Sequence, residues 1–214
     1  MLQEFKVWHN ELIANKAVTA LTNNHFKVAF CKTKQDACDQ ILSVVPASAR
    51  IGVGGSMSIV ELNILDQLKS QGHTVLNHNE PGLTGEQKAE IRLQQLTCDL
   101  FLTGTNAVTL DGKLVNTDGA GNRVAAMIYG PKKVVVVAGI NKIVKDVAAA
   151  EQRIRSIAAP MNNQRLTTGN SCIRTGECMD CQGPGRICNV TTIISKKPVL
   201  TDMTVLIVGE ELGF

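Results

Sequence analysis

Aromatic side chains are scarce: the 214 residues hold one tryptophan, one tyrosine and five phenylalanines. Few flat platforms remain on which bases could stack, and a scattered net charge of +3 is too weak to track a phosphate backbone. Nucleic acid is thereby set aside as a partner. Long apolar runs are missing too. None approaches the roughly 18 uninterrupted residues of a membrane span, and the opening Met1-Leu-Gln-Glu-Phe-Lys-Val-Trp-His9 has no basic stretch followed by an apolar block. No membrane partner and a cytoplasmic location are expected. Seven cysteines, an odd number, make a poor disulfide framework, and in a reducing compartment grouped thiols more often serve metals or redox chemistry.

What is present fits one globular α/β domain, with 44% apolar and 19% charged residues. Residues 1–123 carry 11 basic and 12 acidic groups, residues 124–214 carry 11 and 7, so the C-terminal part is mildly basic. Phe5, Trp8, Leu12, Ile13, Ala17 and Leu21 follow a helical stripe over residues 1–24, which predicts an amphipathic helix docked on the core or on a partner subunit. A homo-oligomer stays open on that ground. From residue 25 to 214 strands and helices alternate. Phe26–Phe30, Arg50–Gly54, His73–Leu76, Asp99–Thr103 and Lys133–Ala138 read as strands, the last so continuously β-branched that it belongs in the centre of a sheet. The helices between them include Lys34–Val45, Ile59–Gln71 behind the capping-box pattern Ser58-Ile-Val-Glu61, and one starting at Thr84-Gly-Glu-Gln87. The expected fold is a mostly parallel sheet with helices on both faces. The Arg50, Asp99 and Lys133 strands should be neighbours.

Two glycine turns attract functional interest. The first is Gly54-Gly55-Ser56, where a strand runs into a helix; it lacks the glycine spacing of a dinucleotide fingerprint. The second lies within Leu102–Arg123. There Asp111-Gly112 predicts a two-residue hairpin projecting from a sheet edge, and Asp118-Gly119-Ala-Gly-Asn122 leads into a helix capped by Asn122. Backbone N–H groups at such helix starts attract anions, and Arg123 adds a planar cationic fork. Gly54, Gly55, Ser56, Thr105, Asn106, Asp118, Gly119, Asn122 and Arg123 are therefore expected around one site for an anionic small molecule. A purely structural role for both turns is the competing reading. His73 and His78 are titratable but have no partner visible in the sequence.

The third feature is Cys172-x5-Cys178-x2-Cys181-x6-Cys188, set among glycine and proline between residues 169 and 189. Thiolates converge where backbone is free to turn, and one CxxC with loose outer spacing favours a [4Fe-4S] cluster over zinc. Unliganded or redox-active thiols are the third reading.

The run Thr103–Met127, then Gly130–Lys142, Cys178–Asn189 and the ending Gly209-Glu-Glu-Leu-Gly-Phe214 resemble the lactate-utilisation (LUD) domain family over most of the chain. That resemblance implies a fold like ribose-5-phosphate isomerase and the CoA transferases, and a link to systems oxidising L-lactate to pyruvate with redox partner proteins. In those systems the iron–sulfur subunits are separate proteins or carry ferredoxin-type repeats; this chain has one cysteine group. Three functions follow: a redox-associated protein of organic-acid metabolism, an isomerase or acyl-transferase-like enzyme with Glu210 or Glu211 as nucleophile, and a metal-stabilised binding module.

Overall fold

The computed structural model describes residues 2–214; Met1, first residue of the segment read as the N-terminal helix, lies outside them. The chain opens with helix α1 (Leu2–Asn23), followed by β1 (Lys27–Cys31), α2 (Lys34–Val44), β2 (Arg50–Val53), α3 (Met57–Glu61), α4 (Leu65–Ser70), β3 (Thr74–Leu76) and α5 (Gly85–Gln95). Next come β4 (Leu100–Gly104), β5 (Ala107–Thr109), β6 (Leu114–Asp118), α6 (Asn122–Ile128), β7 (Lys133–Gly139), a 3-10 turn at Ile140–Lys142 and β8 (Ile143–Val144). A long helix runs as α7 (Val147–Arg153), a π-turn (Ile154–Ala158) and α8 (Ala159–Leu166), and the chain closes with α9 (Cys172–Thr175), β9 (Val190–Ile194) and β10 (Asp202–Val208).

Six parallel strands form the main sheet in the order β1-β10-β7-β4-β2-β3. The alternation of a strand explains why Lys133–Gly139 is apolar at nearly every position. Val134, Val136 and Ala138 pack with Ala14, Ala17 and Leu21 of α1 and Met127 of α6, while Val135 and Val137 pack with Ile41 of α2, Ile59 of α3 and Leu68 of α4. Each such valine, wholly removed from water, contributes about 1.5–3 kcal/mol. The expected neighbours Arg50, Asp99 and Lys133 do lie on adjacent strands, through β2, β4 and β7.

Four expectations are corrected. The Asp111-Gly112 hairpin does not project: β5 and β6 belong to a second sheet, β8-β5-β6-β9, and their loop packs on the end of α1, where Asn24 Nδ2 donates to Asp111 O and Gly112 O. The loop is also longer than two residues, because Thr109 Oγ1 accepts from Lys113 N and so closes it early. The helix Ile59–Gln71 is broken at Asn63, which takes φ 53°, leaving α3 and α4 as separate short pieces. Ser58 lies inside α3 rather than capping it; Ser56 is the N-cap and makes no side-chain cap bond. Helix α1 itself docks on the core through its second half, where Ala14, Ala17 and Leu21 are covered, and leaves Phe5 and Trp8 each 60% exposed.

Candidate functional site

The register of the main sheet brings the carboxyl ends of β2, β4 and β7 to one edge, where open α/β sheets place their ligands. Gly54 and Gly55 follow β2, Thr105 follows β4, and Lys142 ends the turn after β7. A cavity of about 270 Å³ opens there between the two sheets and the α7–α8 helix, and all nine residues expected at the anion site border it. Ser56 and Arg123 share this cavity. Gly55 takes φ 71°, a left-handed conformation that favours glycine, and a Cβ on Gly104 would collide with Ser56 Oγ, so the turn can lie close against β4.

Several of the nine are already committed inside the protein. Arg123 donates to the Asp118 carboxylate through Nε and Nη2, and Nη2 also reaches Asn106 Oδ1 and Thr117 O. It is therefore not a free fork. Asp118 Oδ2 accepts from Val124 N and so caps α6, the role expected of Asn122; the N-cap position itself is Gly121. Asn106 Oδ1 also accepts from Thr117 N, and the single Thr105 Oγ1 proton is shared between Ala107 O and Val115 O. With five residues in α3 and seven in α6, the helix starts are too short for their dipoles to carry the site. Ser56 and Asn122 make no side-chain cap bond, and their polar groups face the cavity uncommitted.

The remaining charge comes from residues outside those nine. Arg92, Lys142 and Arg165 also border the cavity. Arg92 Nε is buried without a hydrogen-bond partner, Arg165 donates to the amide oxygen of Asn162, and Lys142 Nζ donates to Ser58 Oγ at 2.8 Å. With Arg123, that makes three guanidinium groups and one buried lysine around a cavity whose one side-chain carboxylate, Asp118, is occupied by Arg123; Phe214 also borders it. Lys142 is 3% exposed, and burial, reinforced by Arg153 and Arg123, pushes its ammonium down to about 7; Glu61 works weakly the other way. Arg153 stands behind it, donating to Asn141 O and Asn106 O.

His78 completes this wall. It is buried, and burial together with Arg92 pushes it down to about 4, so the ring is neutral at physiological pH. Gln95 Nε2 donates to Val53 O and Leu76 O, an orientation that a flipped amide would turn into two oxygen–oxygen contacts. The same Nε2 lies 3.1 Å from His78 Nδ1, which therefore cannot carry a proton, and the ring hydrogen belongs on Nε2. That nitrogen is 3.4 Å from where a Cβ on Gly55 would lie, beside the glycine turn. His73 is structural: its Nδ1 accepts from Ala49 N.

Sequence reasoning passed over Arg92, Lys142, Arg165 and the burial of His78. Only Lys142 carried a signal, as a cation directly beyond the carboxyl end of the most apolar strand. Glu210 and Glu211 border neither this cavity nor the next, and Glu211 is exposed.

The four cysteines of the C-terminal segment border one small second cavity together with Asn163, Asn170 and Arg186. Among the described residues no three His, Cys, Asp or Glu side chains converge tightly enough to hold a single metal ion. The four thiols thus line one cavity without converging on a single point. Burial and the neighbouring thiols push Cys172 and Cys188 up, so ligation would need a positive centre to draw their protons off. Arg186 pairs with Asp180 and donates to Cys181 O and Cys188 O, holding the loop closed. Cys188, Ile187 and Ala159 border both cavities, so the two share a wall.

The family model described as the LUD domain matches residues 14–208. A comparison with curated proteins finds no match. The crystal structure of a DUF162 family protein from Deinococcus radiodurans is similar over 94% of this chain and 98% of that one, with a TM-score of 0.52 and 15% sequence identity. At that identity the likeness is one of fold.

Proposed function

This chain belongs to the LUD domain family, and on that premise we propose that it binds a short anionic metabolite of the lactate type in the cavity at the strand ends. One observation carries the reading: Arg92, Lys142 and Arg165 face the same cavity with no carboxylate partner among the described residues. A half-buried guanidinium such as Arg92 is costly without counter-charge, and a bound carboxylate, with the more exposed Arg165 on its other side, offsets that cost. Arg92 and Arg165 would take the carboxylate oxygens, and the Ser56 hydroxyl and His78 Nε2–H would donate to a hydroxyl or carbonyl beside it. Titration calorimetry with L-lactate, pyruvate and inorganic phosphate tests this. Saturable binding is expected, weakened about tenfold, or about 1.4 kcal/mol, by Arg92→Ala or Arg165→Ala. Affinity unchanged in both variants would sink the assignment.

A second reading extends the first and rests on the shared wall at Cys188. Cys172, Cys178, Cys181 and Cys188 would hold a [4Fe-4S] cluster, with zinc as the alternative, and a cluster supplies one-electron transfer to redox partner proteins when bound. The acyl-transfer reading has less support, because the one side-chain carboxylate at the cavity is Asp118 and it is bound to Arg123.

A further inference from the structure

We propose that Lys142 is a nucleophilic amine that forms an imine with a 2-oxo acid, or a similar carbonyl-bearing anion, bound in the cavity at the strand ends. The proposal rests on the anion-site reading above and narrows its ligand class to molecules with a carbonyl beside the carboxylate. Geometry comes first. Lys142 closes the turn after the central strand, is 3% exposed, and borders a cavity of about 270 Å³, roomy enough to admit a short-chain acid. Its hydrogen-bond partner is a hydroxyl, and no carboxylate pairs with it among the described residues. Ser58 Oγ gives its own proton to Leu212 O at 3.2 Å and accepts from Lys142 Nζ. The amine lone pair is thus not claimed by Ser58.

Electrostatics works in the same direction. The groups acting on Lys142 are Arg153 from α7, Arg123 from α6 and Glu61 from α3; the two guanidinium groups disfavour a third cation, and Glu61 is engaged by Gly213 N. A desolvated lysine beside other cations is the usual way in which an amine is kept neutral and reactive near pH 7. The step balances without any oxidant or further reactant. Nζ adds to the carbonyl carbon, the C–N bond forms as the carbonyl π-bond breaks, and the proton leaving nitrogen is matched by one gained at oxygen. Loss of water from the resulting carbinolamine then gives the imine. The carboxylate would stay on the arginines, and the His78 Nε2–H is a neutral donor for the carbonyl oxygen. L-lactate, lacking the carbonyl, would bind without reacting.

The test is reductive trapping of the full chain with pyruvate and cyanoborohydride, read by intact mass and peptide mapping, with titration of pyruvate run alongside. One adduct is expected, equal to pyruvate less one oxygen atom, at Lys142 rather than at exposed lysines such as Lys27 and Lys132. At pH 7 its trapping should outpace that of an exposed lysine by more than about a hundredfold, since far more of it is unprotonated. The rate should rise through the neutral range, not near pH 10. Lys142→Met should abolish the adduct, and Lys142→Arg, checked for folding by circular dichroism, should abolish it while keeping a cation. If pyruvate binds but no adduct forms at Lys142, or adducts scatter over exposed lysines, the imine is wrong and the anion site stands. If the neutral aldehyde propanal is trapped at Lys142 while no anion binds, the nucleophile stands and the anion site falls. If neither pyruvate nor propanal reacts there and no anion binds, both readings fall.

Discussion

At the scale of single residues, Asp118 carries more than its place in a glycine loop suggests. Its two carboxylate oxygens hold Arg123 and cap α6 at Val124 N, and its carbonyl accepts from Asn189 N at the end of the cysteine segment. Removing it would leave a guanidinium unpaired beside Lys142 and Arg153, which is the costly way to break a buried pair. Asp118→Ala should therefore lower stability by about 3–5 kcal/mol in urea denaturation, and Asp118→Asn, which keeps an acceptor for Val124 N, by clearly less. A loss below about 1 kcal/mol for the alanine variant would mean that solvent screens the pair. Position and type of these residues are visible in the sequence. Their pairing is not, because Asp118 and Arg123 could as well have faced a ligand separately.

At the scale of elements, capping chemistry was legible where the cap is local. Thr84-Gly-Glu-Gln87 forms a full capping box at the start of α5, with Thr84 Oγ1 accepting from Gln87 N and Gln87 Oε1 from Thr84 N. Thr84→Ala should cost about 1 kcal/mol, seen as a lowered urea midpoint with an unchanged slope. An unchanged midpoint would mean that water satisfies the helix start equally well. Ser58-Ile-Val-Glu61 has the same pattern and fails as a box, since Ser58 is buried and bonded to Lys142 and Leu212 while Glu61 accepts from Gly213 N. These partners lie 84 to 154 residues away. No local rule could have weighed them.

At the scale of the whole molecule, the segment 169–189 adds no strand to either sheet and meets the second one at its end, where Asn189 N donates to Asp118 O. It is held by polar bonds, such as Asn170 Nδ2 to Asn163 Oδ1 and Cys178 N to Arg155 O, and by Cys172 as its one buried side chain. So little apolar burial leaves the entropy of ordering the segment largely uncompensated, and a metal bound by the thiols would supply the difference. Anaerobically purified protein is expected to contain iron. Chelation, or Cys178→Ser with Cys181→Ser, should make 169–189 the first region cut in limited proteolysis. Iron absent from the wild-type protein, with cleavage indifferent to chelator, would remove the cluster.

Sequence alone determined the parallel sheet, its central strand, the helices on both faces and the two glycine turns at one edge. Those features depend on periodicity, branching and turn chemistry, which act over a few residues. Tertiary structure decided the rest. It folded Ala107–Asp118 into a second sheet with β9, 72 residues beyond the hairpin, instead of leaving it to project. It also spent Arg123 on Asp118 and set Arg92, Lys142 and Arg165 around one cavity from three separate elements. Charge balance in a cavity is a property of groups close in space, and the order of residues along a chain carries that distance only after the chain has folded.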